Sequence, residues 1–248
     1  MKAAERQLRI RQMFESRDFL DVETLCRELN ASEASVRRDL AQLESTNALK
    51  RVYGGAIPVQ AAGDYAIETG RRSDEKTHIA RLAASLIDDG QTVILDGGTT
   101  VTAVARELAA KSIHVITNSL PIAEALESYR NIELTLTGGY LDPRIRVMLG
   151  PFCEQMLGAI RADAVIMGIG SVTESGFSNN NTLVVGSEKK MIEVADRMIV
   201  VADHTKFGRG AMFAVAPLEA ADVVVSDKEL AAEYIEMLRR HEIDVRLG

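Results

Sequence analysis

Apolar residues recur at helical spacing three times in the first 45 positions. Ile10, Met13 and Phe14 share a face over 4–15. Val22, Leu25, Cys26 and Leu29 follow Asp21 at i, i+3, i+4 and i+7, and Val36, Leu40 and Leu43 form a stripe after Ser32. Asp21 and Ser32 are residue types that cap helix N-termini, and Asn30-Ala31 leaves only a short turn between the second and third helices. The stretch from Leu49 to Ile57 mixes basic residues with β-formers around Gly54-Gly55, the pattern of a β-hairpin. From 58 to 73 the periodicity lapses. A helix then begins near Asp74, with Ile79, Leu82, Ala83, Leu86 and Ile87 facing inward and Gly90 as its stop.

Beyond Gly90 the pattern changes. Short runs at 92–96, 114–117, 133–137, 164–168, 199–203 and 223–226 predict strands, most of them apolar throughout, as in a parallel sheet covered on both faces. Helical spacing at 102–110, 122–128, 153–157, 188–195 and 229–240 fills the intervals. The alternation predicts an α/β fold, a doubly wound and mostly parallel sheet with ligands at the carboxyl ends of its strands. The chain therefore divides into a winged helix-turn-helix over 1–58, a linker over 59–75 and an α/β domain over 76–248.

Composition changes this picture in one respect. The 248 residues are 46% hydrophobic and 26% charged, ordinary for a globular protein. No apolar run approaches the ~18 residues that span a bilayer, and Met1-Lys2-Ala3-Ala4-Glu5-Arg6 opens a charged amphipathic segment rather than a signal peptide. Cys26 and Cys153 lie far apart and form no CxxC, which argues against a disulfide framework or thiolate zinc site and fits a reducing cytoplasm. The net charge of -7 weighs against nucleic-acid binding. Residues 1–58, however, hold ten Lys and Arg against nine Asp and Glu, for a net charge of +1, and the excess acid lies in the remainder.

In the third helix Arg38 lies opposite the Val36/Leu40/Leu43 stripe, Ser35 and Arg37 flank it, and Ala34 and Ala41 are small. Such a face approaches DNA closely, and arginine reads guanine edges or holds phosphate. The competing reading is a solvated face in which Arg37 and Arg38 pair with Glu33 or Asp39. In the wing, Lys50 and Arg51 are placed to meet backbone phosphate, and Tyr53 packs on the sugar-phosphate edge or on the helices.

Five polar or glycine clusters fall at the carboxyl ends of predicted strands. They are Asp96-Gly97-Gly98-Thr99-Thr100, Thr117-Asn118-Ser119, Thr137-Gly138-Gly139, Gly168-Ile169-Gly170-Ser171 and Asp203-His204-Thr205-Lys206-Phe207-Gly208. The first is a glycine turn from strand to helix. Free N–H groups, the helix dipole and two threonine hydroxyls make it an anion cradle, with Asp96 an acceptor for ligand hydroxyls and Lys206 a mobile cation for a phosphate near Thr99 and Thr100. The glycines alone fit a tight turn capped by threonine equally well. Five clusters at matching positions are better explained by one shared pocket.

The combination of S-x-x-S-V-R-R-D-L from Ser32 and K-R-V-Y-G-G-A from Lys50 resembles the DeoR family of bacterial transcriptional regulators. Ser35 and Val36 stand where threonine and isoleucine are usual, Tyr53 where histidine is common, and Asn47-Ala48 where glycine is frequent; these departures bear on which operator is read. D-G-G-T-T, V-I-T-N-S, L-T-G-G and D-H-T-K-F-G are similar to the effector-domain motifs of the same family, so the resemblance spans about residues 5–245. It implies that Ser32, Ser35, Arg37, Arg38, Lys50, Arg51 and Tyr53 serve operator binding. It also implies a fold related to ribose-phosphate isomerases and CoA transferases, and a phosphosugar held by Asp96, Gly98, Thr99, Thr100, Asn118, Gly139 and Lys206, with Gly97 and Gly138 in the same turns.

The expected function is a repressor of carbohydrate-metabolism genes that binds double-stranded operator DNA as a homodimer or homotetramer and is relieved by a phosphorylated sugar. No cofactor or metal is expected. The alternative is an active sugar-phosphate isomerase or deaminase with a DNA-binding appendage. Isomerisation needs a general base, usually a carboxylate. The stretch Met167–Val172 that matches the isomerase loop carries no carboxylate before Glu174. The histidines His78, His114, His204 and His241 lack metal-ligand spacing, and no G-x-S-x-G motif is present.

Overall fold

The computed structural model describes residues 3–14, 20–46, 48–52, 54–58 and 73–248. The chain forms two units, Met1–Ile67 and Glu68–Gly248. Most of the expected linker, 59–72, lies outside the described residues.

In the first unit, helices α1 (Ala3–Met13), α2 (Val22–Leu29) and α3 (Glu33–Ser45) pack on strands β1 (Leu20–Asp21), β2 (Leu49–Val52) and β3 (Gly55–Pro58). The periodic stripes supply the core: Ile10, Phe14, Leu25, Leu29, Val36, Leu40 and Leu43 are all buried. Asp21 caps α2, its Oδ1 accepting from the Thr24 N–H at 2.6 Å, and those bonds hold its carboxyl below the usual carboxylate range. Asn30 takes the left-handed conformation (φ 45°) that lets the chain reverse within two residues. Ser32 occupies the capping position of α3 but makes no side-chain cap; its Oγ lies 3.0 Å from Ser35 Oγ. Strand β3 pairs antiparallel with both β1 and β2, and Gly54 turns the hairpin with φ 81°.

The second unit is built on a seven-stranded, wholly parallel sheet in the order β15-β14-β12-β9-β4-β5-β6. The strands are β4 (Thr92–Leu95), β5 (Ile113–Thr117), β6 (Ile132–Leu136), β9 (Ala164–Gly168), β12 (Met198–Val201), β14 (Val223–Ser226) and β15 (Asp244–Leu247). Alternate residues serve two cores. Val93, Leu95, Ile166, Val201 and Val225 face one, with α4 (Ser73–Ala84) and α5 (Thr99–Leu108). Ile94, Ile116, Val165, Met167 and Val200 face the other, with α7 (Pro151–Gly158) and α8 (Thr182–Glu193). That double burial is why these strands read as unbroken apolar runs. The remaining helices are α6 (Leu120–Leu126) and α9 (Ala232–Arg240).

Some elements differ from expectation. A hairpin, β7 (Tyr140–Asp142) with β8 (Val147–Leu149), and a small antiparallel sheet of β10 (Ser171–Thr173), β11 (Gly176–Asn179) and β13 (Phe213–Ala216) have no counterpart in the sequence pattern, nor does the edge strand β15. Each is only three or four residues long, and its strand character comes from the partner it pairs with. Helix α8 begins six residues earlier than its apolar spacing suggests, because Asn181 caps it by accepting from the Leu183 N–H at 3.0 Å. Helix α5 starts at Thr99 rather than 102, directly on the Gly98 turn.

Candidate functional site

Helix α3 presents an outer face of Ala34, Arg37 and Arg38, all exposed. Arg37 pairs with Glu33 one turn earlier at 2.7 Å, an exposed i,i+4 contact worth about 0.3–0.5 kcal/mol and readily exchanged for phosphate. Arg38 bonds only the Ala34 carbonyl, at 3.2 Å, and meets no carboxylate among the described residues. Asp39, offered as an alternative partner for these arginines, instead points inward: 3% exposed, it accepts from Arg6 and from Gln7 Nε2 and fastens α1 to α3. Its one-residue offset from Arg38 carries it across to the buried side. Arg51 is held to Glu44 through both its backbone N–H (2.9 Å) and its Nε (2.6 Å). Lys50 lies in β2 with its side chain outside the described part, and Tyr53 lies outside the described residues.

In the main sheet of the second unit all seven strands run the same way, so their carboxyl ends share one edge. The chain leaves β4 toward β5 and β6, then returns to place β9 on the other side of β4. The crevice of a doubly wound sheet opens at such a reversal. Asp96-Gly97-Gly98 lies there: the Asp96 N–H donates to the Ile166 carbonyl at 3.0 Å, and Gly98 turns into α5 with φ 121°. Gly98 has no side chain to cap α5, so the N–H groups of its first turn lack a capping oxygen. Gly97, Gly98, Thr99 and Thr100 are half-buried, within reach of a ligand. Gly97 is required by space, since a Cβ there would lie 2.3 Å from Val147 Cγ1. Gly139 is required twice, by φ 131° and by the Leu149 carbonyl 2.6 Å from where its Cβ would stand. Gly138 is exposed, with open space around it.

Asn118 follows β5 and is 1% exposed; its Nδ2 donates to the Met148 carbonyl at 3.2 Å and its Oδ1 has no partner among the described residues. Lys206 closes a 3-10 turn (His204–Lys206) after β12, half-buried and two strands from β4, about 10 Å by strand spacing. Asp203 caps that turn through the Thr205 N–H, and Asp227 holds its start, with Oδ2 2.8 Å from the His204 N–H. His204 shows no metal-ligand spacing in sequence, yet the fold gathers it with Asp227 and Glu229; its Nδ1 lies 2.9 Å from Asp227 and its Nε2 3.4 Å from Glu229.

Two family models match the chain, the DeoR-like helix-turn-helix domain over residues 6–61 and the DeoR C terminal sensor domain over residues 71–228. The chain belongs to the DeoR family. It is a DeoR-type transcriptional regulator, with a DNA-binding helix-turn-helix ahead of a sensor domain. It is 34% identical to the HTH-type transcriptional repressor GlcR of Bacillus subtilis over 99% of this chain and 96% of that one. It is 29% identical to the glycerol-3-phosphate regulon repressor of Escherichia coli K12 over the full length of both. Among solved structures, ribose 5-phosphate isomerase A of Methanocaldococcus jannaschii superposes with a TM-score of 0.42 at 20% identity, over 55% of each chain.

One residue of this DeoR sensor domain escapes sequence inspection. Glu188 of α8 is 1% exposed, and its charge acts on Asp96. Its Oε1 accepts from Asn179 Nδ2 at 2.9 Å, while its Oε2 has no partner among the described residues. Burial pushes the Glu188 carboxyl up to about 7 against that hydrogen bond. Asp96 is also raised well above its ordinary range, by burial first and then by the Glu188 charge, against the Gly97 N–H. A second carboxylate therefore stands beside Asp96, although the isomerase-like stretch contains none. The signal was a glutamate on the buried stripe of α8, three residues from both Val185 and Met191.

Proposed function

We propose that this protein represses carbohydrate-metabolism genes in the cytoplasm and that a phosphorylated sugar at the carboxyl end of the sensor sheet releases it from operator DNA. The observation that carries the effector half is the α5 N-terminus without a side-chain cap at the strand-order reversal, with Asp96 at the end of the same strand, Asn118 at the end of the next and the Lys206 turn after a strand two places away. A helix N-terminus with free N–H groups favours a dianionic phosphate. The names of the relatives, repressors among them, support the regulatory half. One winged domain offers few DNA contacts, so the regulator acts as a homodimer or homotetramer on repeated half-sites.

Thermal unfolding of the full chain against phosphosugars and their unphosphorylated parents tests this reading. At 100 times its dissociation constant a ligand adds about 2.7 kcal/mol. A rise with one phosphosugar, absent with its parent, is expected; no rise across the panel overturns the effector site. In the same assay Lys206→Ala loses roughly 10- to 100-fold in phosphosugar affinity, the worth of a charge-assisted hydrogen bond, while operator binding in gel shifts is unchanged. Arg38→Ala does the reverse, losing about 1–3 kcal/mol per half-site contact. An Arg38→Ala protein that binds operator like its parent would place the recognition surface elsewhere.

The Asp96–Glu188 pair favours one second reading, the isomerase or deaminase, since a buried carboxyl near neutrality suits a general base. On our reading ribose 5-phosphate emerges unchanged from incubation with pure protein. Steady turnover would establish the enzyme.

A further inference from the structure

The carboxyl end of the sheet holds more hydrogen-bond acceptors than the described residues satisfy. Strand alternation puts Asp96 on the Ile94 side of β4 and Asn118 on the Ile116 side of β5, the face on which α8 packs through Val185 and Met191. The register Leu95↔Thr117 makes Asp96 and Asn118 the next neighbours across adjacent strands, about 5 Å apart along the sheet. Glu188, buried on α8, lies close enough for its charge to be felt at Asp96. On this face Asn118 Oδ1 and Glu188 Oε2 are buried with no donor among the described residues, and no Lys or Arg pairs with either carboxylate. Ionising two buried carboxyls without a cation is costly, and so is burying acceptors without donors.

We propose that Asp96, Glu188 and Asn118 form an ammonium-accepting subsite, so that the effector is a phosphorylated amino sugar. An ammonium group is compact, carries one positive charge and presents three donors, one for each of these side chains. A hydroxyl brings one donor and no charge, and so gives neither carboxyl a counter-charge with which to ionise. A cation beside these carboxyls opposes the burial that raises both of them, and favours their ionised forms. The inference rests on the phosphosugar reading of the same site, with phosphate at the α5 N-terminus and amine at the carboxylates as two ends of one ligand.

Isothermal titration calorimetry on the full chain decides it, using 2-amino and 2-hydroxy hexose 6-phosphates of gluco, galacto and manno configuration, with glucosamine as the unphosphorylated control. One amine is expected to bind about tenfold or more tightly than its hydroxyl twin, and Glu188→Gln to erase most of that preference. A hydroxyl twin that binds as tightly, or a preference that survives Glu188→Gln, overturns the subsite and leaves the phosphate cradle standing. Failure of every phosphorylated compound to bind overturns the cradle and the subsite together. Binding of glucosamine alone as tightly as its 6-phosphate overturns the cradle and leaves the subsite supported.

Discussion

Glu188→Gln stabilises the effector-free sensor unit at pH 8 by about 2–3 kcal/mol, and the gain fades as the pH falls toward 5. In the unfolded chain this carboxyl ionises near 4.5, whereas in the folded protein it holds its proton up to about 7. Between those values the native state binds the extra proton, so native stability declines as the pH rises through the window. Above 7 the charge sits buried beside Asp96 and its full cost is present. Glutamine is the same size, still accepts from Asn179, and removes the like charge facing Asp96. Calorimetric scans from pH 5 to pH 8 follow the transition of larger enthalpy, which belongs to the larger unit. A gain independent of pH, or a loss at pH 8, would mean that Glu188 is compensated in the native state.

Asp39→Ala, by contrast, destabilises the DNA-binding unit by about 3 kcal/mol or more, because it removes the buried carboxylate on which Arg6 and Gln7 of α1 converge. A unit of this size has only about 3–10 kcal/mol in total, so the smaller calorimetric transition moves far down or disappears. Operator binding goes with it, while the response to phosphosugar stays. Asp39→Leu combined with Arg6→Met removes both charges and recovers most of the loss, since the pair costs desolvation that two apolar side chains do not. If Asp39→Ala left the smaller transition in place, the contact between α1 and α3 would be incidental, and the three-helix arrangement would rest on the Ile10, Leu25 and Leu40 core alone.

The two predictions fall on the two residues that local pattern reading misplaces. Asp39 stands in a run of charged residues, Arg37-Arg38-Asp39, that reads as one polar surface. Its direction is set by α1, thirty-three positions earlier, which offers Arg6 and Gln7 on the buried side. Glu188 stands on a helix that was expected, but the strand end it faces lies ninety-two positions upstream. A contact of that separation leaves no periodicity behind.

What the sequence determined by itself was everything governed by short-range geometry. Amphipathic stripes specified the three N-terminal helices, the Asp21 cap and Asn30 turn specified how the second meets the third, and unbroken apolar runs specified a parallel sheet buried on both faces. The residues of the glycine turn at Gly97-Gly98 and of its four companion clusters were legible because turn chemistry is local. The tertiary structure decided what depends on pairing across distance. It set the order that places β9 beside β4 and brings the five clusters to one edge. It made strands of three-residue segments with no pattern of their own, and it gave the buried charges their partners: Asp39 an arginine, and Asp96 a second carboxylate. Local propensities act over one or two turns of chain, whereas burial and electrostatics act between whatever segments the fold brings together.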